Sequence, residues 1–464
     1  MKNLEKKLFG RILCPTIHNV LGKKRFKYSR ELDITRISES REQILEEQWG
    51  KLCTLVNYSY SHVLYYRNLF KRLGILPEDI KTREDYEKLP ILTKRDITMN
   101  RANLLSDEYN MKGLRETASG GSTGTPVTFF ANKSHMEYGL ASAYQFWKHA
   151  GLGFGERCVV LWGEVIDAPL VPRLWVSFSR WLQRRYHFNV FEMNDEVFEK
   201  WDKRIRNLKP KALAGYHTAL AAFADFYRRK NLHPPTFSLI ISQSEKVTHR
   251  ELIEEVFNCR MFDFYGSRET PGLACECSNG LMHQAADICY MEFVSRGHFN
   301  DAFSIVITPL TLFSMPLLRY EIGDLGAPEQ KECRCGSSLP VMKLMYGRLL
   351  DTMEISSKKI HTSIFPHLLK DFPVSQYQVI QTERDCITIC FKRGIYFGNA
   401  TKNQIINAIS AYFPAVKIKL AEVNTIEKTR LGKYRPVVTL DDYIKNKKYY
   451  DSILRKAYTN NSMS

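Results

Sequence analysis

The residue types best suited to chemistry first gather at Thr117-Ala118-Ser119-Gly120-Gly121-Ser122-Thr123-Gly124-Thr125-Pro126. Glycines let a backbone approach a ligand and turn its N–H groups outward, and neighbouring hydroxyls donate to phosphate oxygens or support a magnesium ion. A Walker loop would end in Gly-Lys-Ser/Thr, which this string lacks, and taken alone the string also fits a flexible turn. A second group is Cys275-Glu276-Cys277, His283 and Cys333-Arg334-Cys335-Gly336. Thiolates and an imidazole are the ligands zinc prefers. The favoured set is Cys277, His283, Cys333 and Cys335, a closed structural site, with Cys275 as the alternate and buried free thiols as the competing reading.

Four short strings follow the glycine-rich loop in order: Tyr265-Gly266-Ser267-Arg268-Glu269, Arg319-Tyr320-Glu321-Ile322-Gly323-Asp324-Leu325, Gly347-Arg348-Leu349-Leu350-Asp351 and Thr429-Arg430-Leu431-Gly432-Lys433. Each is moderately specific; their order makes the set highly specific. The set resembles the adenylate-forming superfamily of acyl-CoA synthetases. It looks most like the phenylacetate–CoA ligase branch and its relatives from capsular polysaccharide biosynthesis, and the resemblance covers nearly the whole chain. The early string Leu89-Pro90-Ile91-Leu92-Thr93-Lys94 is also similar to one of that branch.

The resemblance implies attack of a carboxylate on the α-phosphate of ATP, with pyrophosphate leaving and the acyl group passing to coenzyme A. Both reactants are anionic, so such a site must screen charge and hold atoms in line. By the same resemblance Ser119, Gly121, Ser122, Thr123 and Gly124 wrap the β- and γ-phosphates. Glu269 supports magnesium, which favours hard oxygen ligands, and Tyr265 stacks on adenine within the nucleotide-binding run Gly266, Ser267, Arg268. Phe262 and Phe264, beside it, read as core aromatics. The superfamily has Thr where this chain has Arg268, which leaves any hydroxyl role there in doubt, although a cation can still face phosphate. Asp324 accepts the ribose hydroxyls, Arg348 lies near the nucleotide, Asp351 is the hinge, and Lys433 is the catalytic lysine whose ammonium meets the reacting charges. Tyr216, His217, Ser244, Glu245 and Trp162-Gly163-Glu164 fall where the family lines its acyl cleft, although His217 also reads as a packed loop histidine.

Positioning these groups calls for an α/β fold. Short apolar runs at Cys158 to Trp162, Ala212 to Ala214, Leu239 to Ile241 and Phe262 to Phe264 alternate with helical stretches at Thr218 to Arg229 and His249 to Phe257, which predicts βαβ units and mainly parallel sheets. One helix is predicted over Glu39 to Leu73, a second starts at Thr93 as N-cap, and a third spans Ser134 to Ala150. Strands are predicted at Tyr290 to Val294, Phe303 to Ile307 and Met315 to Tyr320. The expected division is 1–347 for ATP and acyl binding and 348–464 for a small mobile α+β domain that carries Lys433 and closes for adenylation.

The bulk of the chain fits this reading. It has 464 residues, 44% hydrophobic and 25% charged, which is ordinary globular composition with room for two or three domains. No signal peptide and no transmembrane segment is evident, so a soluble, cytoplasmic protein is expected, with its eleven cysteines reduced. The formal charge is +17. No zinc-finger spacing or RRM signature accompanies it, so nucleic acid is not an expected partner. The basic head, with Lys23, Lys24, Arg25, Lys27 and Arg30, suits peripheral contact with an anionic membrane, against which stands Pro15, expected to break its apolar face. A second basic cluster is the tail, with Lys445, Lys447, Lys448, Arg455 and Lys456. The alternatives are transfer of the acyl group to an amine in capsule or exopolysaccharide assembly, and a basic binding protein that keeps the fold without catalysis. The oligomeric state is open, a homodimer included.

Overall fold

The computed structural model describes residues 8–32, 36, 39–118, 128–162, 173–190, 193–245, 247–295, 303–348, 352–355, 358–361, 364–369, 372–394, 397–426 and 436–461. The chain divides into two compact units: Met1–Ile322 with Gly326–Met345, and Gly323–Leu325 with Tyr346–Ser464.

The first unit is organised by eleven strands: β1 (Cys158–Trp162), β2 (Arg185–Asn189), β3 (Ala212–Tyr216), β4 (Leu239–Gln243), β5 (Met261–Tyr265), β6 (Ala274–Glu276), β7 (Met282–Gln284), β8 (Cys289–Val294), β9 (Phe303–Pro309), β10 (Tyr320–Glu329) and β11 (Val341–Arg348). Their order across the sheet is β8-β9-β10-β11-β7-β6-β5-β4-β3-β1-β2. From β5 to β2 every pairing is parallel, and β5 to β6 to β7 to β11 is antiparallel. Alternation along the parallel strands separates two cores. Cys158, Val160, Ala212, Ala214 and Ile241 face one, and Val159, Leu161, Leu213 and Ile240 face the other. A strand buried on both faces reads as a continuous apolar run, which is why these strands were visible in the sequence.

Helices α1 (Cys14–Val20), α2 (Arg25–Glu31), α3 (Arg41–His62), α4 (Lys133–His149), α5 (Arg173–Leu182), α6 (Asp195–Leu208), α7 (His217–Lys230) and α8 (Arg250–Phe257) cover the sheet. Ser40 caps α3 through a reciprocal box with Gln43 (3.2 and 2.8 Å). The single helix expected to Leu73 is two, because the buried Val63 turns extended (φ −125°) and bridges Ser106 before helix Leu64–Leu73 begins. Thr93 is the N-cap, boxed with Asp96, as the sequence implies. Met315 to Leu318 are buried but form no strand: Pro316 interrupts them and Arg319 takes φ +52°, so the strand starts at Tyr320. Pro15 does not break the basic head. It occupies the first turn of α1, where its missing N–H costs no helical bond.

The second unit contains β12 (Val374–Glu383), β13 (Cys386–Arg393), β14 (Lys417–Glu422) and β15 (Val437–Val438) in the order β14-β13-β12-β15. Val379, Ile387 and Ile389 pack on helix α9 (Asn399–Tyr412) through Ile405 and Ile409. The opposite face sets Ile380, Cys390 and Ala421 against Tyr443, Tyr450 and Ile453.

Candidate functional site

Tyr265 ends β5, and the chain leaves the sheet at once. Ser267 N–H donates to the Thr270 carbonyl (3.1 Å), Thr270 N–H donates to Ser267 Oγ (3.0 Å), and Leu273 N–H returns to the Tyr265 carbonyl (3.0 Å). The turn is pressed tight. A Cβ on Gly266 would lie 2.9 Å from Gly272 N, and one on Gly272, itself at φ +76°, would lie 2.8 Å from Ala143 N on α4. Glu269 is thereby held buried, at 5% exposure, with Oε1 accepting from the Tyr320 hydroxyl (3.1 Å). Its backbone carbonyl accepts from His135 Nε2 (2.6 Å), while His135 Nδ1 meets Thr311 Oγ1 (2.8 Å). Nε2 can only donate to a carbonyl, so Nδ1 is the acceptor of the Thr311 hydroxyl in a neutral ring. Burial lowers the His135 pKa to about 4. Arg268 is half-buried, and Phe262 and Phe264 belong to the core.

Tyr320 is itself fixed from the far end of the sequence. Leu92 N–H donates to the Arg319 carbonyl (2.9 Å), Glu321 N–H donates to the Leu92 carbonyl (3.0 Å), and Leu92 and Tyr320 form a parallel bridge. The Arg319 guanidinium forks onto Glu292 (Nε 3.0 Å, the second nitrogen 2.8 Å) and donates to the carbonyls of Glu87 and Leu89. Two strings of the sequence, Leu89 to Lys94 and Arg319 to Asp324, are thus one structural joint. Burial raises the Glu292 pKa to about 7, against the pull of Arg319. Asp324 lies half-buried on β10. His135, Arg319 and Glu292 were not singled out from the sequence; a lone histidine, and an arginine at the edge of a motif, carry no spacing signal.

A different feature marks the parallel strands. β1 pairs with both β2 and β3, so the winding of the sheet reverses there, and clefts form beyond the carboxyl ends of strands at such a point. Trp162 and Tyr216, the last residues of β1 and β3, stack with centroids 4.1 Å apart. His217 begins α7 and is fully buried. Its Nε2 accepts from the N–H groups of Thr248 (2.9 Å) and His249 (3.0 Å), and Nδ1 faces Ser242 Oγ (3.3 Å). Burial, then the charges of His249 and Arg250, lower its pKa to about 3, so it is a neutral packing histidine. Glu245 Oε2 accepts from both the N–H and the hydroxyl of Thr218 (2.7 Å each).

Cys277, His283, Cys333 and Cys335 come together, with all four ligand atoms within 4.8 Å of one another. Cys277 and His283 flank the β6–β7 hairpin, whose turn is closed by Cys277 N–H to Leu281 O (2.9 Å) and Gly280 N–H to Cys277 O (3.0 Å). The closest approaches are Cys277 Sγ to Cys333 Sγ at 3.4 Å and Cys335 Sγ to His283 Nε2 at 3.3 Å. These are far beyond an S–S bond and near the edge of about 3.7 Å that a tetrahedron of Zn–S bonds demands. His283 Nδ1 points to the Leu339 carbonyl (3.4 Å), which leaves Nε2 toward the sulfurs, and burial lowers its pKa to about 4, the neutral form a metal takes. Asn279 N–H donates to Cys277 Sγ (3.3 Å), which suits a thiolate. Cys275, the alternate, is in the apolar core, where burial raises its thiol far above the ordinary range.

Several sequence-derived positions lie outside the described residues: Ser119, Gly121, Ser122, Thr123 and Gly124, Gly163-Glu164, Asp351 and Lys433. Arg348 is described only as the last residue of β11.

No protein-family model matches the chain. It is 22% identical to Protein CapK of Staphylococcus aureus over 417 residues, 87% of this chain and 89% of that one. It is 23% identical to a phenylacetate-coenzyme A ligase of Thermus thermophilus over 358 residues, 73% of this chain and 78% of that one. Among solved structures, a 2-hydroxyisobutyryl-CoA ligase in the postadenylation state matches with a TM-score of 0.68 at 19% identity, over 87% of this chain and 91% of that one. The structural likeness establishes the fold, that of the adenylate-forming enzymes. In sequence the chain is similar, over most of its length, to CapK and to phenylacetate-coenzyme A ligases.

Proposed function

We propose that this protein activates a carboxylic acid with ATP, forming an acyl-adenylate and pyrophosphate, and then transfers the acyl group to coenzyme A. The observation that carries the reading is the Glu269 carboxylate. It is buried one turn beyond Tyr265, with one oxygen bound to Tyr320 and its backbone tied to His135. A carboxylate fixed at the end of a strand is pre-organised to hold magnesium beside the departing phosphates, and its rigidity lowers the reorganisation needed in the transition state. The ligase relatives support the same reading. In it, Ser119 to Gly124 hold the phosphates, Tyr265 stacks on adenine, Asp324 takes the ribose, Arg348 lies near the nucleotide, and Lys433 meets charge on the carboxylate and α-phosphate. The C-terminal region from residue 348 is the moving part. Trp162 and Tyr216 line the acyl cleft. Zinc bound by Cys277, His283, Cys333 and Cys335 ties the β6–β7 hairpin to the loop before β11 and has no chemical role.

A second reading keeps the adenylation and delivers the acyl group to an amine, as the sequence's resemblance to capsule-biosynthesis relatives implies; the CapK relative, which aligns over more of the chain than the ligase of Thermus thermophilus, carries no coenzyme A in its name. Acid-dependent exchange of pyrophosphate into ATP, over a panel of aromatic, fatty, hydroxy and amino acids, tests the common first step. Exchange with one acid class, lost in Glu269→Ala and Lys433→Ala, supports adenylation. No exchange together with no ATP binding removes the enzyme reading. Coenzyme A or amino sugars added to the active mixture then distinguish the acceptors.

A further inference from the structure

The helical turns Leu8–Leu13, α1 and α5 meet along one edge of the first unit. The Phe9 ring sits edge-on to Trp181 (5.3 Å between centroids) under the Arg184 guanidinium (4.9 Å), and Cys14 Sγ donates to the Leu182 carbonyl (2.6 Å). Phe178 stacks on Trp181 at 5.8 Å. In Leu8–Leu13 and α5 four large apolar side chains remain open to water: Leu8 at 43% exposure, Ile12 at 57%, Phe178 at 38% and Trp181 at 50%. The surface is anchored. Arg25 and Glu137, both buried, form a two-pronged ion pair (2.9 and 2.6 Å), and Tyr28 stacks on Tyr138 at 3.7 Å, so the basic head is fastened to α4.

Charge is distributed in a matching way. Residues 8–30 contain six Lys and Arg and no Asp or Glu, and residues 173–190 contain four Arg and no Asp or Glu. Arg11, Lys24 and Arg30 are exposed. Arg25 is paired with Glu137 and Lys27 with Glu31, yet the surface keeps an excess of positive charge; apolar side chains on such a surface are costly in water, and the excess charge attracts an anionic partner. A nucleic acid would use the cations and the two rings, but it gives no place to Leu8 and Ile12. A lipid surface accommodates all of them, since indole and phenyl groups favour the headgroup level, aliphatic chains enter the acyl boundary, and basic residues meet anionic headgroups.

We propose that this face rests on an anionic lipid surface, with Leu8, Ile12, Phe178 and Trp181 entering the headgroup–acyl boundary. The protein then works as a peripheral enzyme with its first unit oriented by the basic head. The test is flotation of the full chain with vesicles of phosphatidylcholine alone or with phosphatidylglycerol added, beside the double variant Phe178→Ser/Trp181→Ser and the charge variant Arg11→Glu/Lys24→Glu. Circular dichroism and the thermal midpoint show that each variant is folded. Binding is expected only to the anionic vesicles, weaker as salt rises, with a blue shift of tryptophan emission and a loss of roughly tenfold or more in each variant. Absence of binding by the folded wild type at low salt overturns the proposal. So does binding that both folded variants retain. A concentration-dependent dimer that the aromatic variant abolishes, without vesicle binding, overturns it in favour of contact between two chains.

Discussion

The hydroxyl of Tyr320 donates to Oε1 of Glu269 at 3.1 Å, although the two residues stand on different strings of the sequence. Tyr320 is fully buried and is held by Leu92, so the hydroxyl cannot follow the carboxylate if that carboxylate moves. The pair fixes one Glu269 oxygen. Tyr320→Phe keeps the ring and removes this bond. A folded protein is expected, with a stability loss of about 1 kcal/mol and a raised magnesium requirement for pyrophosphate exchange. An unchanged magnesium dependence in the folded variant would mean that Tyr320 acts only in packing.

Arg319 and Glu292 make a buried ion pair that also clamps the segment before Leu92. Removing one partner strands the other charge. Arg319→Met should lower stability by about 3–5 kcal/mol, as measured by urea unfolding, whereas the double variant Arg319→Met/Glu292→Gln should recover part of that loss. Equal losses in the single and double variants would show that the carbonyl contacts, and not the ion pair, dominate.

Two buried histidines set an acid limit. The pKa of His135 falls to about 4 and that of His217 to about 3, in both cases chiefly through burial. Between those values and the unfolded value of about 6.5 the unfolded chain binds more protons, so stability is whole above pH 6.5 and declines as the pH falls. Each group is expected to cost about 2 kcal/mol between pH 6.5 and 5. Glu292 acts with the opposite sign: its raised pKa favours the fold at low pH, and this contribution is lost as the pH rises towards 7. Unfolding midpoints from pH 7.5 to 5 should therefore fall less in His217→Gln than in wild type.

Zinc is the expected occupant of the thiolate–imidazole cluster. Purified protein should carry about one zinc per chain by elemental analysis, and Cys335→Ser or a strong chelator should remove it and lower the thermal midpoint by several degrees. Metal-free protein with the same midpoint would leave the cluster as four packed side chains.

How much was legible depends on where each signal resides. Cys158–Trp162 appears with its predicted bounds, and β3, β4, β5 and helices α7 and α8 appear nearly so, because burial on both faces writes itself as apolar runs. β2 and the β6–β7 hairpin were missed: Arg185-Tyr186-His187-Phe188-Asn189 is an edge strand with polar residues, and three-residue strands carry almost no pattern. The choice between Cys275 and Cys277 needed the structure: two residues apart on one strand they would share a face, but β6 ends at Glu276, so Cys275 stays in the core while Cys277 sits in the turn beside the other ligands. The joint between Leu92 and Tyr320 was illegible because neither string contains information about its partner.

That joint orders events in time. Arg319 reaches back 232 residues to Glu87, so during synthesis the stretch before Leu92 waits for most of the first unit to emerge before its backbone finds a partner. Until Tyr320 leaves the ribosome, Glu269 has no Tyr320 hydroxyl to steady it, and a nascent or truncated chain therefore lacks the fixed carboxylate. Protease cleavage near residues 87–92 in stalled chains of increasing length should persist until the stall lies far enough beyond residue 320 for Tyr320 to clear the exit tunnel and then fade, which makes the fixed Glu269 carboxylate one of the last features of the first unit to mature.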